Sequence, residues 1–96
     1  MAELMMSEQD IVNAICIDYS QKHNILPGEI EVELVYDDEE GFFAEIAHRG
    51  HKQVLGSFDM IQAIRYWIGE TLNEDPYAAG IKLLLDREEG IIATIQ

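Results

Sequence analysis

Basic residues are scarce: six Lys and Arg stand against 19 Asp and Glu, a net charge of −13. A field of that sign repels phosphate backbones and anionic lipid surfaces. No basic stretch interleaved with aromatics offsets it, so direct nucleic-acid binding is disfavoured. The acidity suits solubility, cations or a basic protein partner. There is one cysteine, Cys16, so no intramolecular disulfide can form. No apolar run approaches the ~20 residues of a membrane-spanning helix. The first six residues lack the basic start and long apolar stretch of a secretory signal, so a cytoplasmic location is expected. Catalytic signatures are missing too: there is no Walker A loop, no Gly-x-Gly-x-x-Gly and no Gly-x-Ser-x-Gly.

What remains is a chain of 96 residues that is 48% hydrophobic, enough for one modest core and one domain. Residues 7–47 align without a gap on 56–96, and 12 of the 41 positions are identical. Chance identity of roughly 7% would give about three. The matches fall where structure would put them. They include Asp10/Asp59, Ala14/Ala63, Ile15/Ile64, Asn24/Asn73, Pro27/Pro76, and the run Asp37-x-Glu39-Glu40-Gly41 on Asp86-x-Glu88-Glu89-Gly90.

Each copy opens with a helix. Ser7 suits an N-cap, with Asp10 three residues on as a weak capping box. Ile11, Val12, Ile15, Cys16 and Tyr19 share one face. Asn24 can close the helix, and Pro27 prevents its continuation. In the second copy Ser57 or Asp59 caps, and Met60, Ile61, Ile64, Trp67, Ile68 and Leu72 form the stripe. Asn73 and Pro76 repeat the stop. A hairpin follows each helix. Ile30, Val32, Leu34 and Tyr36 alternate with polar residues and return as Phe42, Ala44 and Ile46 after a turn at Gly41. Pairing Tyr36 with Phe42 sets Leu34 against Ala44 and Val32 against Ile46. The second copy gives the same register: Leu85 with Ile91, Leu83 with Ala93, Ile81 with Ile95.

The expected fold is α+β: two tandem αββ repeats in the order α-β-β-(β)-α-β-β. A mainly antiparallel sheet carries both helices on one face, with an approximate twofold axis. The domain spans 1–96. Residues 1–6 are expected as a frayed arm, 7–47 and 56–96 as the repeats, and 48–55 as a connector with a short extra strand near Gln53–Gly56.

The stretches Ser-Glu-Gln-Asp-Ile-Val-Asn-Ala-Ile-Cys (7–16) and Val-Glu-Leu-Val-Tyr-Asp-Asp-Glu-Glu-Gly-Phe-Phe-Ala-Glu-Ile (32–46) resemble the YxcD-like family, small acidic proteins of Bacillus and its relatives. The resemblance implies a cytoplasmic bacterial protein. It implies no activity and assigns no site residue.

Five groups of residues could carry chemistry. The acidic turns, Asp37, Asp38, Glu39 and Glu40 with Asp86, Glu88 and Glu89, could hold a hard cation. The EF-hand spacing fails there, and solvated turns are the simpler account. His48 and His51 could share a divalent metal with nearby carboxylates, although their spacing is that of a turn. Cys16 lies in mid-helix beside Asp18, where a thiolate is disfavoured. Glu33 and Glu45 face each other across the first hairpin, which suggests acid–base chemistry or a neighbouring Lys or Arg. Val35 opposite Phe43, and Leu84 opposite Ile92, put apolar pairs on the sheet face away from the helices, where the 1–6 arm could also lie. The reading this favours is a non-enzymatic, acidic interaction module acting as a homodimer through Val35, Phe43, Leu84 and Ile92, without a cofactor. The alternative is a small metal-binding protein or metalloenzyme built on His48 and His51.

Overall fold

Ser7 starts the first helix by satisfying its free amides. The Ser7 hydroxyl accepts from the Asp10 amide at 3.2 Å, and the Asp10 carboxylate accepts from the Ser7 amide at 3.2 Å, a full capping box. Helix α1 then runs Glu8–His23. Glu8 and Asp10 sit in its first turn and Lys22 and His23 in its last, each complementing the helix dipole. Asn24 closes it in the left-handed conformation (φ 55°). Pro27 then begins a single 3-10 turn, Pro27–Glu29.

The structure, a computed structural model, describes residues 4–72 and 80–96. Among these residues six strands accompany the helices: β1 (Leu4–Met6), β2 (Glu31–Asp37), β3 (Gly41–His48), β4 (His51–Gly56), β5 (Ile81–Asp86) and β6 (Gly90–Ile95). Helix α2 (Ser57–Trp67) follows β4 directly and passes into a π turn, Ile68–Leu72. The fold is α+β. The strands form two antiparallel three-stranded sheets, β1-β6-β5 and β2-β3-β4, where one sheet was expected.

Both hairpins take the register that alternation dictates. Tyr36 pairs with Phe42, Leu34 with Ala44 and Val32 with Ile46. Leu85 pairs with Ile91, Leu83 with Ala93 and Ile81 with Ile95. The turns explain why two different sequences agree. Asp37 accepts from the Glu39 amide at 2.7 Å, Asp86 accepts from the Glu88 and Glu89 amides at 2.9 Å, and Gly41 (φ 80°) and Gly90 (φ 79°) take the left-handed position.

Three expectations are corrected. Residues 4–6 are not a frayed arm: Leu4 pairs with Ile95, Met5 with Thr94 and Met6 with Ala93, and Met6 is buried. The short strand of the connector is longer than expected and starts at His51. Neither Ser57 nor Asp59 caps α2. Its N-cap is Gly56, with no side-chain cap bond, because β4 runs straight into the helix and leaves Ser57 inside its first turn. The stop expected at Asn73 and Pro76 lies outside the described residues.

One core joins all layers. Ile11, Ala14 and Ile15 of α1, Met60, Ala63 and Ile64 of α2, Ile68 beyond it, and Ala44, Ile46, Ile91, Ala93, Ile95 and Met6 from the sheets are buried together. Val12, Cys16 and Tyr19 are half-buried, so the inward face of α1 is turned from the expected stripe toward Ala14 and Asp18. The reason is that α1 packs against α2 as well as the strands. The molecule measures 43 × 32 × 20 Å, and the short dimension fits one sheet layer and one helix layer of about 10 Å each.

Candidate functional site

The core fixes which strand residues face outward. In the first sheet these are Glu31, Glu33 and Val35 on β2, Phe43, Glu45 and Ala47 on β3, and Lys52 and Val54 on β4. Val35 lies opposite Phe43, Glu33 opposite Glu45, and Glu45 opposite Val54. Val35 and Phe43 are half-buried, whereas Val54 is exposed. Glu31, Glu33, Glu45, Lys52 and Val54 line one shallow concavity. The Glu33–Glu45 pair therefore has a lysine in its surroundings.

In the second sheet Leu84 lies opposite Ile92, but their environments differ. Leu84 is 43% exposed and Ile92 only 6%. Strand β6 is central, with β1 on one side and β5 on the other, but β1 pairs only with Ala93, Thr94 and Ile95, so Ile92 has a strand partner on the β5 side alone. The expected interface of Val35, Phe43, Leu84 and Ile92 is thus split between two sheets, with Ile92 largely removed from solvent. The segment at 4–6 does not cover this face either, because β1 adds to the edge of β6. Sequence reasoning missed the exposed apolar residues Met5, Val54, Phe58 and Leu85. The signal for Leu85 was its place at the end of an unbroken Leu83-Leu84-Leu85 run beside the turn.

His48 and His51 are cross-strand partners at the end of the β3–β4 hairpin. Arg49 (φ 49°) and Gly50 (φ 82°) form the two-residue turn, both in the left-handed region such turns need. His48 Nε2 is buried, has no hydrogen-bond partner, and lies 3.9 Å from a Glu29 oxygen. Arg49 Nη2 donates to the other Glu29 oxygen at 2.9 Å, and this bond holds the Glu29 carboxyl below the usual range. Among the described residues, no three His, Cys, Asp or Glu side chains are grouped so as to hold a metal ion.

The acidic turns divide into builders and bystanders. Asp37 and Asp86 are engaged by backbone amides, and those of Glu89 and Glu88 hold the Asp86 carboxyl below its ordinary value. Asp38, Glu39, Glu40, Glu88 and Glu89 are exposed. Cys16 is half-buried in mid-helix, and burial pushes its thiol up, away from a nucleophile's range.

The family described as "Protein of unknown function (DUF2653)" matches residues 1–88. This chain belongs to it. A Bacillus subtilis (strain 168) protein, "Uncharacterized protein YxcD", is 34% identical over 93 residues, covering 96% of this chain and 91% of that one. No solved structure matches. The resemblance carried by residues 7–16 and 32–46 is therefore borne out, and DUF2653 membership brings no substrate with it. No helix among the described residues of this DUF2653 chain is long and apolar enough to cross a membrane.

Proposed function

We propose that this chain is a non-enzymatic, acidic protein-interaction module that works as a homodimer in the cytoplasm and meets basic protein partners. The observation that carries the reading is the exposed apolar set on the outward sides of the strands: Met5 at 61%, Val54 at 60% and Leu84 at 43%. Val54 shares its concavity with Glu31, Glu33 and Glu45, and exposed apolar side chains of this kind suit a protein contact better than solvent. The fold is read as a tandem duplication with an approximate twofold axis. Shifting by 49 residues carries the pairs Leu4–Ile95, Met5–Thr94 and Met6–Ala93 onto Gln53–Ile46, Val54–Glu45 and Leu55–Ala44, each of which is paired. Sedimentation equilibrium on untagged protein tests the function. A dimer mass supports it, and a monomer at all concentrations ends it.

A second reading is metal capture by His48 and His51. It is supported by their cross-strand pairing and by the unpartnered His48 Nε2. Native mass spectra before and after chelation test it: a stoichiometric divalent metal that chelation removes supports it, and unchanged metal-free spectra end it.

A further inference from the structure

Among the described residues strand β5 is an edge of its sheet, and its sequence is Ile-Lys-Leu-Leu-Leu-Asp. Gly80 and Gln96 exchange reciprocal backbone hydrogen bonds at 3.0 and 2.9 Å. In an antiparallel ladder such pairs recur at every second residue. Lys82, Leu84 and Asp86 therefore turn their amides and carbonyls toward β6, and Ile81, Leu83 and Leu85 turn theirs toward the open edge. Leu84 and Leu85 are 43% and 57% exposed. A long apolar edge of this kind is a template for another strand.

We infer that two copies of the chain pair antiparallel along β5, centred on Leu84, so that two three-stranded sheets become one of six strands. This rests on the homodimer reading above and names its contact. Centring on Leu84 sets Leu83 against Leu85 of the second copy, and both are residues whose backbone groups face the edge. Two such pairs supply four backbone hydrogen bonds. The same register sets Lys82 against Asp86 of the second copy, twice by symmetry, with all four side chains on the outward face. The Lys82 ammonium forms no ion pair with the described residues of its own chain, whose salt bridges are Lys22–Asp18, His48–Glu29 and Arg49–Glu29. Asp86 is kept ionised by the Glu88 and Glu89 amides, which take one of its oxygens and leave the other.

The other edges fit a second copy less well. Strand β2 centred on Leu34 would set Glu31 against Asp37. Strand β4 offers mainly polar exposed residues, His51, Lys52 and Gln53, beside Val54. Strand β1 is three residues long. A short edge seam lies at the small end of interface sizes, so a dissociation constant of about 1–100 µM is expected.

The test uses the full chain at roughly 100 µM, above the middle of that range. Sedimentation gives the mass of the native sequence, of Leu85→Pro and of Lys82→Glu. Leu85→Pro deletes an edge-facing amide and no β5–β6 bond. A Cys16→Ala, Leu84→Cys chain is oxidised in parallel. Residues opposite each other in a non-hydrogen-bonded pair have Cα atoms about 4.5 Å apart, within disulfide reach. Support is a dimer whose dissociation constant rises about tenfold or more in both single variants, together with a disulfide-linked Leu84→Cys dimer. A native dimer that gives no Leu84→Cys link overturns the edge pairing and leaves the homodimer standing. A native monomer overturns both.

Discussion

A Glu8 carboxylate oxygen accepts the Ile91 backbone amide at 2.8 Å, joining the first turn of α1 to a strand 83 residues away in sequence. The bond falls just past the end of β1, where β6 has lost its neighbour and its amide needs another acceptor. The side chain thus continues what the three-residue strand began.

The contact makes two otherwise matched glycines unequal. Gly41 and Gly90 share a left-handed φ, but a Cβ at Gly41 meets nothing, whereas one at Gly90 would lie 2.3 Å from the Glu8 carboxylate. Gly41→Ala is expected to cost about 1 kcal/mol from backbone strain. Gly90→Ala adds displacement of a charge-assisted hydrogen bond and is expected to cost about 2–3 kcal/mol. Urea unfolding measures both. Placing Gly90→Ala in a Glu8→Ala background should bring its cost down to the Gly41→Ala value, and equal costs in the parent would refute the account.

The two helix starts give a second contrast. Ser7→Ala removes the capping-box acceptor and should destabilise by about 1 kcal/mol. Gly56→Ser supplies a cap that α2 lacks, at a position where a Cβ meets nothing and φ is −73°. It should stabilise by a few tenths of a kcal/mol. Denaturation midpoints with unchanged slopes would show both signs.

How far could these contacts be read from the residues alone? The hairpin registers were legible because each strand alternates and each turn carries Asp at its start and Gly at its end. The α1 caps were legible because Ser, Asp and Asn act within four residues. Strand β1 was not: three residues cannot display a period, and its partner lies at the other end of the chain. The burial of Ile92 was equally hidden. Alternation says which face a residue takes, and not how far that face is covered. The His48–Arg49–Gly50–His51 turn was readable as a turn, but the approach of Glu29 came from a separate segment.

Burial therefore predicts different fates for two residues of one outward pair. Ile92→Ala should destabilise by about 2 kcal/mol or more, as for other buried isoleucines. Leu84→Ala should change unfolding of the isolated chain little, because its side chain is 43% exposed. Thermal scans at low protein concentration separate the two, and comparable losses would contradict the burial contrast.

Asp86 gives a pH dependence whose sign follows from its depressed carboxyl. The turn amides favour the ionised form in the folded state, so this stabilisation is present above the ordinary value of 3.8 and is lost as pH falls through the lower folded value. Asp86→Ala should lower Tm at pH 7, and its deficit against the native sequence should shrink in acid below that range. A deficit that stays constant across the titration would mean the carboxylate charge contributes nothing.

Leu4 lies across from Ile95, and His48 lies across from His51. The ends of the described chain are thus neighbours in one sheet, much as the two sides of the central turn are neighbours in the other. A chain covalently joined near residues 96 and 4 and reopened between Arg49 and Gly50 would read β4, α2, β5, β6, β1, α1, β2, β3. That is the same sequence of element types as the parent. Circular permutation at this point leaves every strand neighbour in place, so where this chain is cut is close to interchangeable with where it turns.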